Sequence, residues 1–341
     1  MKLFAVFAAA GAAFAPLIHA ADSDRVSVYI LAGQSNMEGK AKLSLLDYQV
    51  KQPATRPHFA HFQKDGAWAV RDDVWIKFLD RKGPLTTGFG SPGCIGPELQ
   101  FGWTVGDPTE GPVLLIKTAW GGRSLWRDFR PPSAGLPPDT ALAAMLTEAQ
   151  KKKPEATLDD IKKPFGQSYR EMLAEVNAVF ADPGAQFPAL AGRKPELAGF
   201  VWFQGWNDMI NADYIAEYAS NLAHFIRDVR RDFNAHALPV VVAQMGIEGT
   251  KPSANIQRFK AAQAAGVELP EFKGNVVLVK TDVFWDTDAD AVFKQGWREH
   301  REEWDKVGSD FPYHYLGSAK TLCAIGKACA EALIELRTQS K

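Results

Sequence analysis

The chain lacks most of the features that classify a protein quickly. Three cysteines in 341 residues, Cys94, Cys323 and Cys329, are too few for a disulfide scaffold. At most one bridge can form. Cys323 and Cys329, six apart on an expected helix, point to different faces and are not partners. No C-x-x-C or Cys/His spacing marks a metal centre, and no metal is expected. Neither sign of charge dominates: 39 Lys and Arg stand against 40 Asp and Glu, for a net charge of −1. With no basic patch, nucleic acid is excluded as a natural partner. No internal repeat occurs. Beyond residue 20 no apolar run is long enough to span a bilayer.

What is present begins at the N-terminus. Lys2, the apolar stretch 3–18 and the small-residue site Ile18-His19-Ala20 read as a secretory signal peptide over residues 1–20. Pro16 and a short, alanine-rich core argue against an uncleaved anchor. The expected mature chain, 21–341, is exported, soluble and large enough for one elaborated domain. Its oligomeric state is left open.

Five continuous apolar runs read as strands covered on both faces. They are Val26–Ala32, Val113–Thr118, Leu197–Phe203, Leu238–Gln244 and Asn275–Thr281. Helical patterns lie between them at Gly96–Val105, Ser168–Phe180, Ala212–Asp232 and Ala254–Ala265, and a last helix runs from Leu316 to about Arg337. This alternation predicts a three-layer α/β/α sandwich around a mostly parallel five-stranded sheet. Two insertions interrupt it, a hairpin-bearing excursion at 40–95 and a charged helical piece at 130–165. Right-handed crossovers place the C-terminal ends of the strands on one edge, where sites form.

Four segments reach that edge. Gly33-Gln34-Ser35-Asn36-Met37 leaves the first strand, and Ala119-Trp120-Gly121-Gly122-Arg123-Ser124-Leu125 the second. Gln204-Gly205-Trp206-Asn207-Asp208 leaves the third, and Asp310-Phe311-Pro312-Tyr313-His314 precedes the last helix. Alone, a serine in a Gly/Asn-rich turn is an ordinary turn residue. The company it keeps changes that. A serine hydroxyl attacks an ester only when an imidazole takes its proton, and the resulting oxyanion needs fixed donors. Gly121 or Gly122, the Asn207 carboxamide and the Ser35 amide suit the second role.

Of the seven histidines, only His314 follows a carboxylate-bearing loop and precedes a helix late in the chain. His224 and His236 flank an amphipathic helix, His300 lies in a charged run, and His58 with His61 lacks a third metal ligand. The acidic stretch 286–290 lacks the glycine and closing glutamate of a calcium loop.

In this order and spacing the four segments resemble the blocks of the SGNH hydrolase superfamily. The nearest likeness is to its sialate O-acetylesterase-like domains and family 6 carbohydrate esterases. Gly33–Met37 is similar to the nucleophile block. Gly96-Pro97-Glu98-Leu99 with Lys117–Gly122 resembles the helix and glycine blocks, and Gly205–Asp208 with His314 resembles the remainder. The resemblance spans roughly residues 26–335. It implies a flavodoxin-like fold and removal of O-acetyl groups from carbohydrate by Ser35, with His314 as base and no cofactor. The substrate is an acetylated polysaccharide or a sialic-acid-like sugar, with no membrane partner after signal cleavage.

Two positions depart from the group. Trp206 stands where a glutamate is usual. Phe311 stands three before the histidine, where the superfamily has its aspartate. Asp310 reaches His314 if the loop bulges; Asp282, Asp286 or a bare Ser–His dyad are the rivals. Gln34, Arg123, Gln204 and Trp206 are candidates for substrate contact, and Trp120, Trp126 and Trp285 also fall near strand ends, where indoles can stack on sugars. A general lipid or aryl esterase and a non-catalytic carbohydrate-binding protein are the alternative readings.

Overall fold

The computed structural model describes residues 24–339, and the expected signal peptide lies outside them. Seven strands form the main sheet: β1 (Arg25–Gly33), β2 (Arg71–Phe78), β3 (Arg81–Leu85), β4 (Val113–Ala119), β5 (Lys194–Phe203), β6 (Val240–Gln244) and β7 (Val276–Lys280). Their order is β7-β6-β5-β1-β4-β2-β3. All neighbours pair in parallel except β3, which turns back antiparallel on β2.

The expected five strands are all present, and the count of five is corrected to seven. Both additional strands come from the 40–95 insertion, whose hairpin extends the main sheet through pairing of β2 with β4. The reason lies in their burial. Along β2, no residue before Val74 is buried and from Val74 on buried and partly exposed residues alternate, whereas every residue of β4 is buried. A strand near the sheet edge carries the alternating pattern of a surface hairpin and gives no continuous apolar run.

Helices cover both faces. On one lie α1 (Glu98–Gly106) and α6 (Ala319–Gln339), packed against each other. On the other lie α3 (Gln167–Ala181), α4 (Ala212–Asp232) and α5 (Ala254–Val267). The period-two alternation of β5 divides its side chains between these layers. Gly199 lies against Leu333 of α6, while Trp202 faces the other way, its ring 4.3 Å from Phe225 of α4. Burying side chains of this size contributes about 2–3 kcal/mol each. The second insertion holds α2 (Asp139–Gln150), which closes a small satellite core of Trp126, Leu142 and Phe165. All three cysteines are buried free thiols.

Candidate active site

The site sits at the C-terminal ends of β1, β4 and β5. Gly33 ends β1 where the backbone of β5 comes very close: a Cβ at this position would lie 2.1 Å from the Phe203 carbonyl oxygen. Only glycine permits that approach, and it releases the chain into the short helix Ser35–Glu38. Ser35 opens this helix and is 6% exposed. Its N–H, as the first of a helix, has no intrahelical acceptor.

Gln34 works as an internal clamp. Its Oε1 accepts from the Gly205 amide at 3.1 Å and from Gln204 Nε2 at 3.1 Å. Its Nε2 donates to Asn207 Oδ1 at 3.2 Å. That bond turns the Asn207 carboxamide so that its NH2 remains free to donate. Gln204 is equally committed, donating to the Arg123 carbonyl and to Asp208 and accepting from the Tyr218 hydroxyl. Both glutamines are buried, and their side chains are spent on binding the strand ends to one another, not on meeting a ligand.

The glycine loop after β4 is pinned at both ends. Gly121 N–H donates to Glu38 Oε1 at 2.6 Å. Past the glycines, Leu125 and Trp126 N–H each donate to the Asp208 carboxylate at 2.8 Å. The Gly121 amide is therefore used up within the protein. The Gly122 amide makes no hydrogen bond among the described residues, and Gly122 has φ +73°, with open space where a Cβ would stand. Of the two glycines left open by the sequence, Gly122 is the one with a donor to offer.

The carboxylates holding this loop are shifted in opposite directions. Burial pushes the Asp208 carboxyl up to about 7, although three N–H donors favour its ionised form. Burial also acts to raise Glu38, but Lys40, the Gly121 amide and Ser91 outweigh it and hold Glu38 below the usual carboxylate range. Beneath lies a buried ion pair. Lys117 Nζ donates to Glu98 Oε2 at 2.7 Å and to the Glu38 carbonyl at 2.6 Å, tying β4 to the Ser35 helix.

The fourth segment arrives through an irregular turn. Pro312–Gly317 is a tight helical turn broken by Tyr315 (φ 53°) and Leu316 (φ 60°), conformations that side-chain-bearing residues seldom adopt. Burial of both residues offsets the cost. So does the Tyr315 hydroxyl, which accepts from Gly246 N–H and shares a hydrogen bond with Thr281, beyond the ends of β6 and β7. Within this loop Asp310 Oδ1 lies 3.0 Å from His314 Nδ1 and also accepts the Phe311 amide at 2.6 Å. Burial acts to raise the Asp310 carboxyl, but His314, the Phe311 amide and Lys40 bring it below its ordinary value. The other two candidates are occupied elsewhere. Asp282 pairs with Lys260 at 2.5 Å, and Asp286 accepts from Ser318 at 2.6 Å. Next to Ser35, Asn36 Nδ2 donates to the Tyr313 carbonyl at 3.2 Å, joining the histidine loop to the serine turn.

Around this centre, Trp206 packs its ring 5.3 Å from Tyr313, and Arg123 makes one long bond of 3.3 Å to Asp128. Trp126 stacks on Tyr214 in the satellite core, Trp120 lies 5.9 Å from Phe129, and Trp285 lies 6.2 Å from Tyr315. Among the described residues no cluster of three or more His, Cys, Asp or Glu side chains forms a metal site. Glu38, which organises the glycine loop, was missed by sequence reasoning. Its only signal was its place three residues after Ser35.

A family model described as carbohydrate esterase, sialic acid-specific acetylesterase, matches residues 25–290. The chain belongs to this family. It is thus a carbohydrate esterase, a hydrolase acting on esters. The match includes Ser35, Gly122 and Asn207 and stops before Asp310 and His314. Among solved structures, an Arabidopsis thaliana protein aligns at TM-score 0.50 and 16% identity, over 91% of this chain and 98% of that one. A carbohydrate acetylesterase from Xanthomonas citri aligns at 0.44 and 14%, over 76% and 51%. NanS aligns at 0.43 and 15%, over 76% and 78%. At such identities the Arabidopsis likeness speaks to the fold of the esterase alone. No curated protein matches the chain.

Proposed function

We propose that the protein is an exported serine esterase that removes acetyl groups from carbohydrate hydroxyls through an acyl-enzyme. Ser35 Oγ attacks the acetyl carbonyl while His314 Nε2 takes its proton. The tetrahedral oxyanion is held by the Ser35 and Gly122 amides and the Asn207 carboxamide. On collapse, His314 returns the proton to the departing sugar oxygen, leaving acetyl-Ser35. Water, deprotonated by His314, then releases acetate and restores Ser35. Asp310 accepts a hydrogen bond from Nδ1–H, keeps Nε2 free as the base and stabilises the imidazolium. This route calls on no metal or organic cofactor. Arg123 and Trp206 stand beside the glycine loop and the histidine loop, in position to meet the sugar.

The observation that carries this reading is the Asp310–His314 hydrogen bond on a loop tied to the Ser35 turn through Asn36. The reading is tested by release of acetate from an aryl acetate and from an O-acetylated sugar. Ser35→Ala is expected to lower kcat by about 10⁴-fold or more while leaving the fold intact. Equal rates for the variant and the parent protein would remove Ser35 from the mechanism.

A further inference from the structure

The Asp310–Phe311 turn looks outward as well as inward. Phe311 is 40% exposed, the one aromatic ring among the large apolar side chains left exposed in the described residues. Its position explains nothing about the core. Its ring lies parallel to Tyr313 at 5.4 Å and edge-on to Trp297 at 6.1 Å, while Tyr313 continues the row to Trp206 at 5.3 Å and to His314 at 4.5 Å. An aromatic rim therefore starts beside the catalytic imidazole and leads away from it.

The rim ends in a groove. A cavity of about 270 Å³ lies between Phe311, Trp297, Asp310 and Lys42. A second, of about 410 Å³, adjoins it and continues past Tyr48 to Lys306. The two share Lys42, Arg301 and Ser309 as walls. Arg301 is paired with Asp305. The ammonium groups of Lys42 and Lys306 and the carboxylate of Glu302 make no hydrogen bond or ion pair among the described residues. The exposed ring of Phe311 beside unspent charged donors and acceptors suits the C–H surfaces and hydroxyl edges of pyranose rings. A lipid acyl chain would leave those polar groups desolvated without partners.

We infer that this groove binds the continuation of a glycan strand, so that the preferred substrate is an acetylated oligosaccharide or polysaccharide and not a free acetylated sugar. The inference rests on the esterase reading of Ser35, and it names the side of the site from which the strand leaves: over Tyr313 and Phe311, past Trp297, between Lys42 and Arg301.

The test compares KM and kcat for an acetylated monosaccharide, an acetylated oligosaccharide of four or more sugars, and an aryl acetate. The oligosaccharide is expected to show a KM at least tenfold below that of the monosaccharide. Trp297→Ala should raise the oligosaccharide KM about 3- to 10-fold, as loss of one aromatic contact would. Its kcat and its aryl acetate hydrolysis should not change. Because Trp297 also packs on Trp304, Lys42→Ala supplies a second variant at an exposed position, with the same split expected. Separately, the Ser35→Ala protein should bind the deacetylated oligosaccharide in calorimetry and lose that binding on adding Lys42→Ala and Trp297→Ala. Neutral and uronic-acid-bearing oligosaccharides form the two arms that distinguish hydroxyl from carboxylate recognition by the lysines. Equal KM values for monosaccharide and oligosaccharide, with no binding to Ser35→Ala, would overturn the groove and leave the esterase reading standing. Oligosaccharide binding without any hydrolysis by the parent protein would overturn the esterase reading and leave the groove.

Discussion

Replacing Asp310 by asparagine should be far milder than replacing it by alanine, and the reason is the Phe311 amide. In trypsin-like triads an Asp→Asn change costs about 10⁴-fold, because the new NH2 faces the imidazole and imposes the wrong tautomer. Here a single oxygen, Asp310 Oδ1, accepts both the Phe311 N–H at 2.6 Å and His314 Nδ1 at 3.0 Å. An asparagine that turned its NH2 toward His314 would set that NH2 against the Phe311 N–H as well. The carboxamide oxygen therefore stays in place, and Nε2 remains the base. What disappears is the attraction between carboxylate and imidazolium. Two charges at about 4 Å attract by about 4 kcal/mol at an effective dielectric of 20. The side chains of Asp310 and His314 are 25% and 16% exposed, so screening reduces this to about 2–3 kcal/mol. That corresponds to a loss of roughly 30- to 150-fold in kcat for Asp310→Asn. Asp310→Ala removes the acceptor and the charge together and should cost about 10³- to 10⁴-fold. The assay is steady-state hydrolysis of an aryl acetate by both variants, with circular dichroism to check folding. Equal, severe losses would refute the argument that Phe311 fixes the oxygen. Unchanged rates in both would remove Asp310 from the mechanism.

Two further expectations follow from the same geometry. Asn207→Ala should lower kcat about 10²- to 10³-fold with little change in KM, since an oxyanion donor acts on the transition state; a pure KM effect would move Asn207 to substrate binding. Asp208, its carboxyl pushed by burial from the ordinary carboxylate range up to about 7, favours the folded state while it is protonated. Its contribution is therefore fully present below about pH 4 and is lost as the pH rises through about 7, a change of about 4 kcal/mol. The stability of the parent protein relative to Asp208→Asn, read from denaturant midpoints, should fall as the pH rises across 4–8; a constant difference would show that Asp208 is ionised throughout in the folded protein.

How much of this was legible in the chain divides along physical lines. Strand and helix positions depend on local periodicity, so the buried runs of β1, β4, β5, β6 and β7 and the helices between them stand in the sequence nearly as they stand in the fold. β2 and β3 do not, because strands near an edge keep one polar face and read as a surface hairpin. The arrival of four chemically distinct segments at one sheet edge follows from parallel topology, and so do Ser35, Asn207 and His314 as candidates. Choices among equivalent neighbours depend on long-range contacts. Glu38 takes the Gly121 amide and leaves that of Gly122. Gln34 and Gln204 turn inward to join β1, β4 and β5. Asp310 meets His314 within a loop that Leu316 closes, its carbonyl accepting the Ser309 and Asp310 amides, and that the Tyr315 hydroxyl anchors to Gly246 and Thr281. The sequence by itself determined the five parallel strands β1, β4, β5, β6 and β7, the edge at which they end and the kinds of group gathered there, since these follow from nearest neighbours along the chain. The tertiary structure alone decided which amide is free, how the histidine loop is anchored and where an exposed ring leads, since each depends on contacts between segments apart in the chain.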